Sequence, residues 1–437
     1  MKSDIEKALN SARDTRSLLI DRNIIYQVPF LFKEQFPGKK AVVVCDTTTY
    51  KVAGKKVQNE LLSAGLTCIE PFVFKDPHPY AEFGNIDKLE EFLKTHNAIP
   101  VAVGSGTIND LTKLSSYRTN RPYMCVATAA SMDGYTSYGA SVTYKGSKQT
   151  FSCPAPQAVL ADIEIIRNAP PEMTASGYAD LFAKLTAGAD WILADVLGAE
   201  PINERAWSIV QDGLKDALND PQGAKEGAAE AITPLTEGLM LGGFAMQWAQ
   251  SSRPASGAEH QFSHLWNMEH HTYQGETPSH GFQVGVATLA ITTLYEKMLN
   301  TPFEKLDVKA CCSKWPKWDE IESRVEKMFC ETDFLNTAIT ESKAKYITSD
   351  ELAVQLENLK NNWYGLHDRL TAQLLSSDEV RRRFRLVGTP VEPEEIGISK
   401  SRMRDSFFRA QYIRRRFTIL DLGVRTDYLG KWLNEMF

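Results

Sequence analysis

The sequence predicts an α/β N-terminal Rossmann-like domain with a parallel sheet, followed by an all-α helical C-terminal domain. Three observations carry this. Unbroken β-branched runs such as AVVVCD (Ala41 to Asp46) and IPVAVGSG (Ile99 to Gly106) read as strands buried on both faces. Helix-like segments, Lys51 to Ala64 and Ile86 to His96, alternate with those runs. After Asn168-Ala-Pro-Pro the strand signal fades and helical periodicity takes over. A chain of 437 residues is also too long for one core. The expected domains are 1–168 and 169–437.

In chain order, the N-terminus MKSDIEKALNSARDTRSLL is charged and amphipathic, without the apolar stretch of a secretory signal. Strands follow at Ala41 to Asp46, Cys68 to Phe74, Ile99 to Gly106 and Pro122 to Ser131. Tyr138 to Thr150 reads as a hairpin and Ala158 to Ile166 as one more strand. Pro171 suits the first turn of a helix. TASGYADLFAKLTAGADWILADVL reads as one helix or a pair. TPLTEGLMLGGFAMQWAQ, HGFQVGVATLAITTLYEKML and the segments near 317–330, 350–375 and 400–417 continue the helical pattern. Pro221 to Ala231 reads as a loop or a poorly ordered insert. The basic groups Arg381 to Arg385 and Arg414 to Arg416 read as solvated helix faces.

Bulk properties exclude several functions. A net charge of −6, from 49 basic and 55 acidic residues, argues against nucleic acid or an anionic membrane as the main partner. No stretch approaches the roughly 20 apolar residues of a membrane span. A cytoplasmic location is expected. The seven cysteines are scattered without a CxxC pair, so they read as free thiols rather than a zinc site.

Chemistry concentrates in two places. VAVGSGTIND sets Gly104 and Gly106 at a strand end before a helix beginning near Thr107. Such a turn lets a phosphate approach the backbone and the free N–H groups of a helix N-terminus. The pattern alone reads more readily as an ordinary tight turn; its place at the carboxyl end of a strand is what favours a cofactor. Asp46 also ends a strand, as a ribose acceptor or as a helix cap. TAASMDG (Thr128 to Gly134) ends a further strand with small and polar residues and one acid, Asp133.

The second place is a histidine cluster. Five of the eight histidines fall between residues 260 and 280: His260, His264, His270, His271 and His280. His260 and His264 are four apart, on one face of a helix. Ser279 is suited to cap a helix whose first turn carries His280. Imidazole with carboxylate suits zinc, nickel or ferrous iron. Asp180, in a small and apolar stretch where an unpaired acid is costly, is the best carboxylate candidate. The bland alternative is a set of satisfied surface histidines and one core histidine, which suits His270 and His271.

The combination of GSGTINDL, TAASMDGYTS, GYADLFAKLTAGADW, SGAEHQFSHLW, PSHGFQVGVAT and the tail IGISKSRMRDSFFRAQYIRRRFTILDL resembles the glycerol-1-phosphate dehydrogenase branch of the iron-containing alcohol dehydrogenase and dehydroquinate synthase superfamily. The resemblance spans nearly the whole chain. It implies a dehydroquinate synthase-like fold and a homodimer. It also implies one divalent metal (Zn, Ni or Fe) held by Asp180, His260 and His280, with NAD or NADP as the redox cofactor. His264 becomes a substrate contact with a catalytic role, Asp133 a substrate-binding and catalytic acid, and Asp180 a ligand that also touches substrate. Gly106, Thr107, Ile108, Asn109 and Asp110, then Thr128, Ala129, Ala130 and Ser131, resemble cofactor loops, with Ser137 a further contact. Gly104 and Asp46 are carried with them as cofactor candidates. Lys184 stands where some iron-dependent relatives have another histidine ligand, which points to three ligands. Ser105 stands where relatives often have glycine.

The implied reaction is reversible hydride transfer between dihydroxyacetone phosphate and sn-glycerol 1-phosphate, with the metal acidifying the hydroxyl. Lys148, Lys184 and Arg253 are candidates for the phosphate contact or ordinary surface charges. A glycerol or polyol dehydrogenase, a dehydroquinate synthase-type lyase and a non-enzymatic metal- or nucleotide-binding protein are the rival readings.

Overall fold

A computed structural model describes residues 2–76, 79–144 and 147–437. The chain forms two compact units. The first comprises Met1–Leu181, Ser208–Pro254 and Leu386–Gly388, and the second Phe182–Trp207, Ala255–Arg385 and Thr389–Phe437. The change of character at residue 168 therefore precedes the division between units. The later stretch Ser208–Pro254 returns to the first unit, where its long helix Ala229–Ala249 contacts the N-terminal helix Lys2–Ser11.

The first unit is built on a six-stranded parallel sheet. Its strands are β1 (Ser17–Asp21), β2 (Lys40–Asp46), β3 (Phe72–Phe74), β4 (Ala98–Gly104), β5 (Met124–Ala127) and β8 (Ala158–Asp162), in the order β1-β8-β5-β4-β2-β3. β6 (Ala140–Tyr144) and β7 (Ser147–Phe151) form the expected hairpin. β4 and β5 lie side by side, in register from Val101↔Met124 to Gly104↔Ala127. β4, β5 and β8 are buried along their whole length, which explains their continuous apolar sequences. Val43, Val101, Val103, Val126 and Leu160 pack with the flanking helices into one apolar cluster.

Three local expectations change. β1 carries no strong strand signal because it is a five-residue, half-buried edge strand; only pairing to β8 makes it a strand. In Cys68 to Phe74 only the last three residues enter the sheet, and Cys68 makes an isolated bridge to Ala41. Pro221 to Ala231 is not a loose insert. Pro221–Lys225 is a short helix whose cap, Asp220, accepts from the Gly223 N–H at 2.8 Å.

Among its described elements the second unit is helical. The helices Lys184–Val196, Ala258–Met268 and His280–Leu299 share a core through Leu193, Phe262, Leu265, Trp266, Ala287 and Ile291. The predicted helical run around residue 183 is a pair, since Pro171–Phe182 stops one residue before Lys184–Val196 begins. Among the described residues no helix is long and apolar enough to cross a membrane.

Candidate metal and cofactor site

The first unit supplies two adjacent strand ends. β4 ends at Gly104, Ser105 is the N-cap without a side-chain cap bond, and the helix Gly106–Arg118 begins at once. A Cβ on Gly104 would lie 2.6 Å from the Cβ of Ile108, so glycine lets the helix fold back onto the strand. Ile108 is thus a packing residue. Asn109 is also committed: its Nδ2 donates to Gly134 O at 3.2 Å and its Oδ1 accepts from Tyr123 at 3.0 Å. Asp110 accepts from the Ser141 N–H at 3.1 Å. The side chains of this predicted cofactor segment therefore hold neighbouring loops, while the N–H groups of Gly106 and Thr107 open the helix as a phosphate site requires. At the end of β2, Asp46 shows its capping role: one carboxylate oxygen accepts from Thr48 and Thr49 N–H at 2.8 and 2.7 Å.

Beside Gly104, β5 runs into Thr128–Ser137. Thr128 N–H donates to Gly104 O at 3.1 Å, joining the two strand ends. Thr128, Ala129, Ala130 and Ser137 are buried, and Ser131 and Asp133 half-buried. This loop is fixed from three sides by residues the sequence did not single out. Lys113, fully buried, donates to the carbonyls of Gly134 (2.9 Å), Ser137 (3.0 Å) and Gly139 (2.9 Å). Gly177 on the Pro171–Phe182 helix lies directly on the loop: a Cβ there would be 1.9 Å from Ala130 O. Gly243, on the Ala229–Ala249 helix, leaves no room either, since a Cβ would meet Thr136 Oγ1 at 2.1 Å. Gln247 on that helix donates to Thr136 O at 3.0 Å. These contacts bring Asp180, fully buried, to Asp133, whose N–H donates to Asp180 Oδ2 at 3.0 Å.

The second unit supplies the imidazoles. His260 is buried in the first turn of Ala258–Met268, and His264 lies one turn further on, half-buried. His280 opens the helix His280–Leu299, and Ser279 caps it as expected, accepting from the Phe282 N–H at 3.3 Å. The rings of His260 and His280 have centroids 5.3 Å apart. Behind His260 stands Glu259, missed in the sequence although its place next to a histidine was a signal. His260 Nδ1 lies 2.8 Å from Glu259 Oε1. An ionised carboxylate only accepts, so Nδ1 carries the proton and Nε2 keeps its lone pair for an ion. Burial alone would push the Glu259 carboxyl up; the hydrogen bonds from His260 and the Gly257 N–H outweigh it and hold it below the usual range. Thr186 completes this support, donating to Glu259 Oε2 at 2.8 Å.

The remaining histidines of the cluster do other work. His271 is buried, with Nε2 2.7 Å from Ile396 O and Nδ1 2.7 Å from Arg402 Nη1. It is a satisfied core histidine rather than a surface one. His270 is exposed, 3.6 Å from Asp333. Of the phosphate candidates, Lys184 and Arg253 are buried, not surface charges. The side chain of Lys148 lies outside the described residues.

Comparison with known proteins agrees with this architecture. Residues 19–170 match the iron-containing alcohol dehydrogenase family. The chain is 30% identical over 385 residues to the glycerol-1-phosphate dehydrogenase [NAD(P)+] of Geobacillus thermodenitrificans, covering 87% of this chain and 86% of that protein. It is 35% identical over 283 residues to the enzyme of the same name from Halalkalibacterium halodurans, covering 64% of this chain and 70% of that one. Among solved structures, a probable glycerol dehydrogenase from Sinorhizobium meliloti 1021 superimposes with a TM-score of 0.59 at 15% identity, over 96% of this chain and 98% of that one, which speaks for the fold. Fold and relatives together define an NAD(P)-linked oxidoreductase. The chain belongs to the glycerol-1-phosphate dehydrogenase family of the iron-containing alcohol dehydrogenases.

Proposed function

We propose that this protein is an sn-glycerol-1-phosphate dehydrogenase, interconverting dihydroxyacetone phosphate and sn-glycerol 1-phosphate with NAD(P)H, and that a divalent ion is held by Asp180, His260 and His280. The observation that carries the reading is the paired imidazoles of His260 and His280, with Glu259 fixing the tautomer of the first, in a chain of this family. Asp180, His260 and His280 offer a carboxylate oxygen and two ring nitrogens, one ligand atom each. Such a donor set suits zinc, nickel or ferrous iron and leaves a coordination position for substrate.

When bound, the ion polarises the substrate's C2 oxygen, and NAD(P) takes or gives the hydride at C2. The protein's own groups then have distinct tasks. The N–H groups of Gly106 and Thr107, at a helix start, receive the cofactor's phosphates. The Thr128–Ser137 loop, buried at Thr128, Ala129, Ala130 and Ser137, excludes water beside the nicotinamide. Asp133 orients the substrate. His264, one turn from His260, contacts the substrate and relays the proton to solvent. Asp180 serves as ligand and as a wall of the substrate pocket.

The test compares NADH formation on sn-glycerol 1-phosphate and on glycerol. The account expects turnover on the phosphate ester and little on glycerol. Preference for glycerol would make the protein a polyol dehydrogenase, and no net NADH with either would point to lyase chemistry that regenerates its cofactor.

A further inference from the structure

We infer that Arg414 is the residue that receives the substrate's phosphate. This deepens the proposed reaction and rests on it. Three arginines follow one another after the turn Ala410–Ile413, and the structure gives each a different task. Arg415 pairs with Glu341, through Nε at 3.0 Å and Nη2 at 2.5 Å. Arg416 donates to Ser256 Oγ at 2.7 Å, and Gln261 donates to Arg416 O at 3.4 Å. The first anchor ties the segment to the helix Leu335–Lys345, and the second ties it to the start of the Ala258–Met268 helix.

Between Ile413 and Arg415, Arg414 is extended and exposed. Its Nη2 stands 3.5 Å from Nε2 of His264, and among the described residues it forms no ion pair with a carboxylate. His260, His264 and Arg414 thus succeed one another on one side of the second unit. In glycerol 1-phosphate, phosphorus is three bonds from C2, and three bonds span roughly 3.8 Å between successive Cα atoms. The α-helix separates residues four apart by roughly 5–6 Å at Cβ. A substrate with C2 near an ion on His260 therefore brings its phosphate to the level of His264, where Arg414 waits. A guanidinium presents a planar donor fork matched to phosphate oxygens. Lys184 and Arg253 suit this task less, because both are buried and already have protein partners.

The experiment uses the full-length, metal-loaded protein and the variants Arg414→Met, Arg414→Lys and Arg415→Gln. Two quantities are read: binding of inorganic phosphate by calorimetry, and KM and kcat for dihydroxyacetone phosphate. Arg414→Met is expected to weaken phosphate binding and raise KM at least about tenfold, the scale of a lost charge-assisted pair, with a smaller change in kcat. Arg414→Lys should recover part of the loss, and Arg415→Gln, which loosens the anchor on Glu341 but keeps the Arg414 fork, should change both quantities by clearly less than Arg414→Met does. A folded Arg414→Met protein with wild-type phosphate affinity and KM would overturn the inference. If phosphate binding depends on Arg414 while the wild type fails to reduce dihydroxyacetone phosphate, the reaction assignment falls and the phosphate site stands.

Discussion

The N–H of Asp133 donates to Oδ2 of Asp180 at 3.0 Å, so the loop after β5 and the Pro171–Phe182 helix meet at the carboxylate proposed as a metal ligand. That bond depends on a close approach of backbone to backbone at Gly177. A Cβ at this position would lie 1.9 Å from Ala130 O and 2.7 Å from its carbonyl carbon, neither of which can move aside as a side chain would. Gly177→Ala is therefore expected to push the helix off the loop. Activity should fall at least about tenfold and stability by about 1–3 kcal/mol, the usual toll of overpacking. Turnover and thermal melting on one preparation check this, and wild-type values for both would show that the contact is slack.

Lys113 holds the other side of the same loop. Replacing it by methionine keeps the bulk but removes the donor to the carbonyls of Ser137 and Gly139, while Gly134 O keeps its bond from Asn109. The expected destabilisation is about 2–5 kcal/mol, since each buried unsatisfied group costs on the order of 1–3 kcal/mol and some relax to other donors. The KM for NAD(P) should rise more than that for the carbonyl substrate. Urea unfolding and initial rates at varied cofactor concentration are the measurements.

In the proposed metal site Glu259 acts on the ion through His260. Glu259→Gln removes the charge behind the ring while keeping a similar shape. Supporting carboxylates of this kind typically contribute about 10- to 100-fold in metal affinity. The variant should lose its ion to a chelator at a concentration at least about tenfold lower than the wild type needs. Unchanged chelator resistance would remove Glu259 from the account.

A pH dependence follows from Asp190. Burial, with the charge of Glu259 adding to it, pushes this carboxyl up to about 7, against hydrogen bonds from Tyr295, Ile419 and Ala258. Its folded value lies above its unfolded value, so the fold favours the protonated form. The associated stability is full below about pH 4 and is lost as pH rises through 7, by on the order of 4 kcal/mol at most. Asp190→Asn cannot ionise, so its melting temperature should fall less between pH 5 and pH 8 than that of the wild type. Parallel curves for the two proteins would contradict this assignment.

Much of this was legible in the sequence, for physical reasons. Buried parallel strands leave continuous apolar runs, so β2, β4, β5 and β8 could be read directly. The histidines could be read because five imidazoles in 21 positions, Ser279 before His280 and the four-residue step from His260 are local patterns. What remained hidden depends on distant neighbours. β1 is a strand only because β8 pairs with it. Lys113 looks like any helix lysine until three carbonyls surround it, and Gly177 and Gly243 look like weak helix formers until a loop lies on them. Arg414 read as one of three solvated charges because its separation from Arg415 and Arg416 comes from Glu341 and Ser256, far away in sequence. Asp180 needed the family resemblance, because an acid in an apolar helix announces only that it has a partner.

The central claim is that the metal set makes this protein a dehydrogenase of dihydroxyacetone phosphate. Its most direct test is His280→Ala, with metal content and NADH oxidation on dihydroxyacetone phosphate measured on one folded sample. The account predicts that bound metal and activity fall together while the melting transition persists. Full activity in a metal-free His280→Ala protein would contradict it.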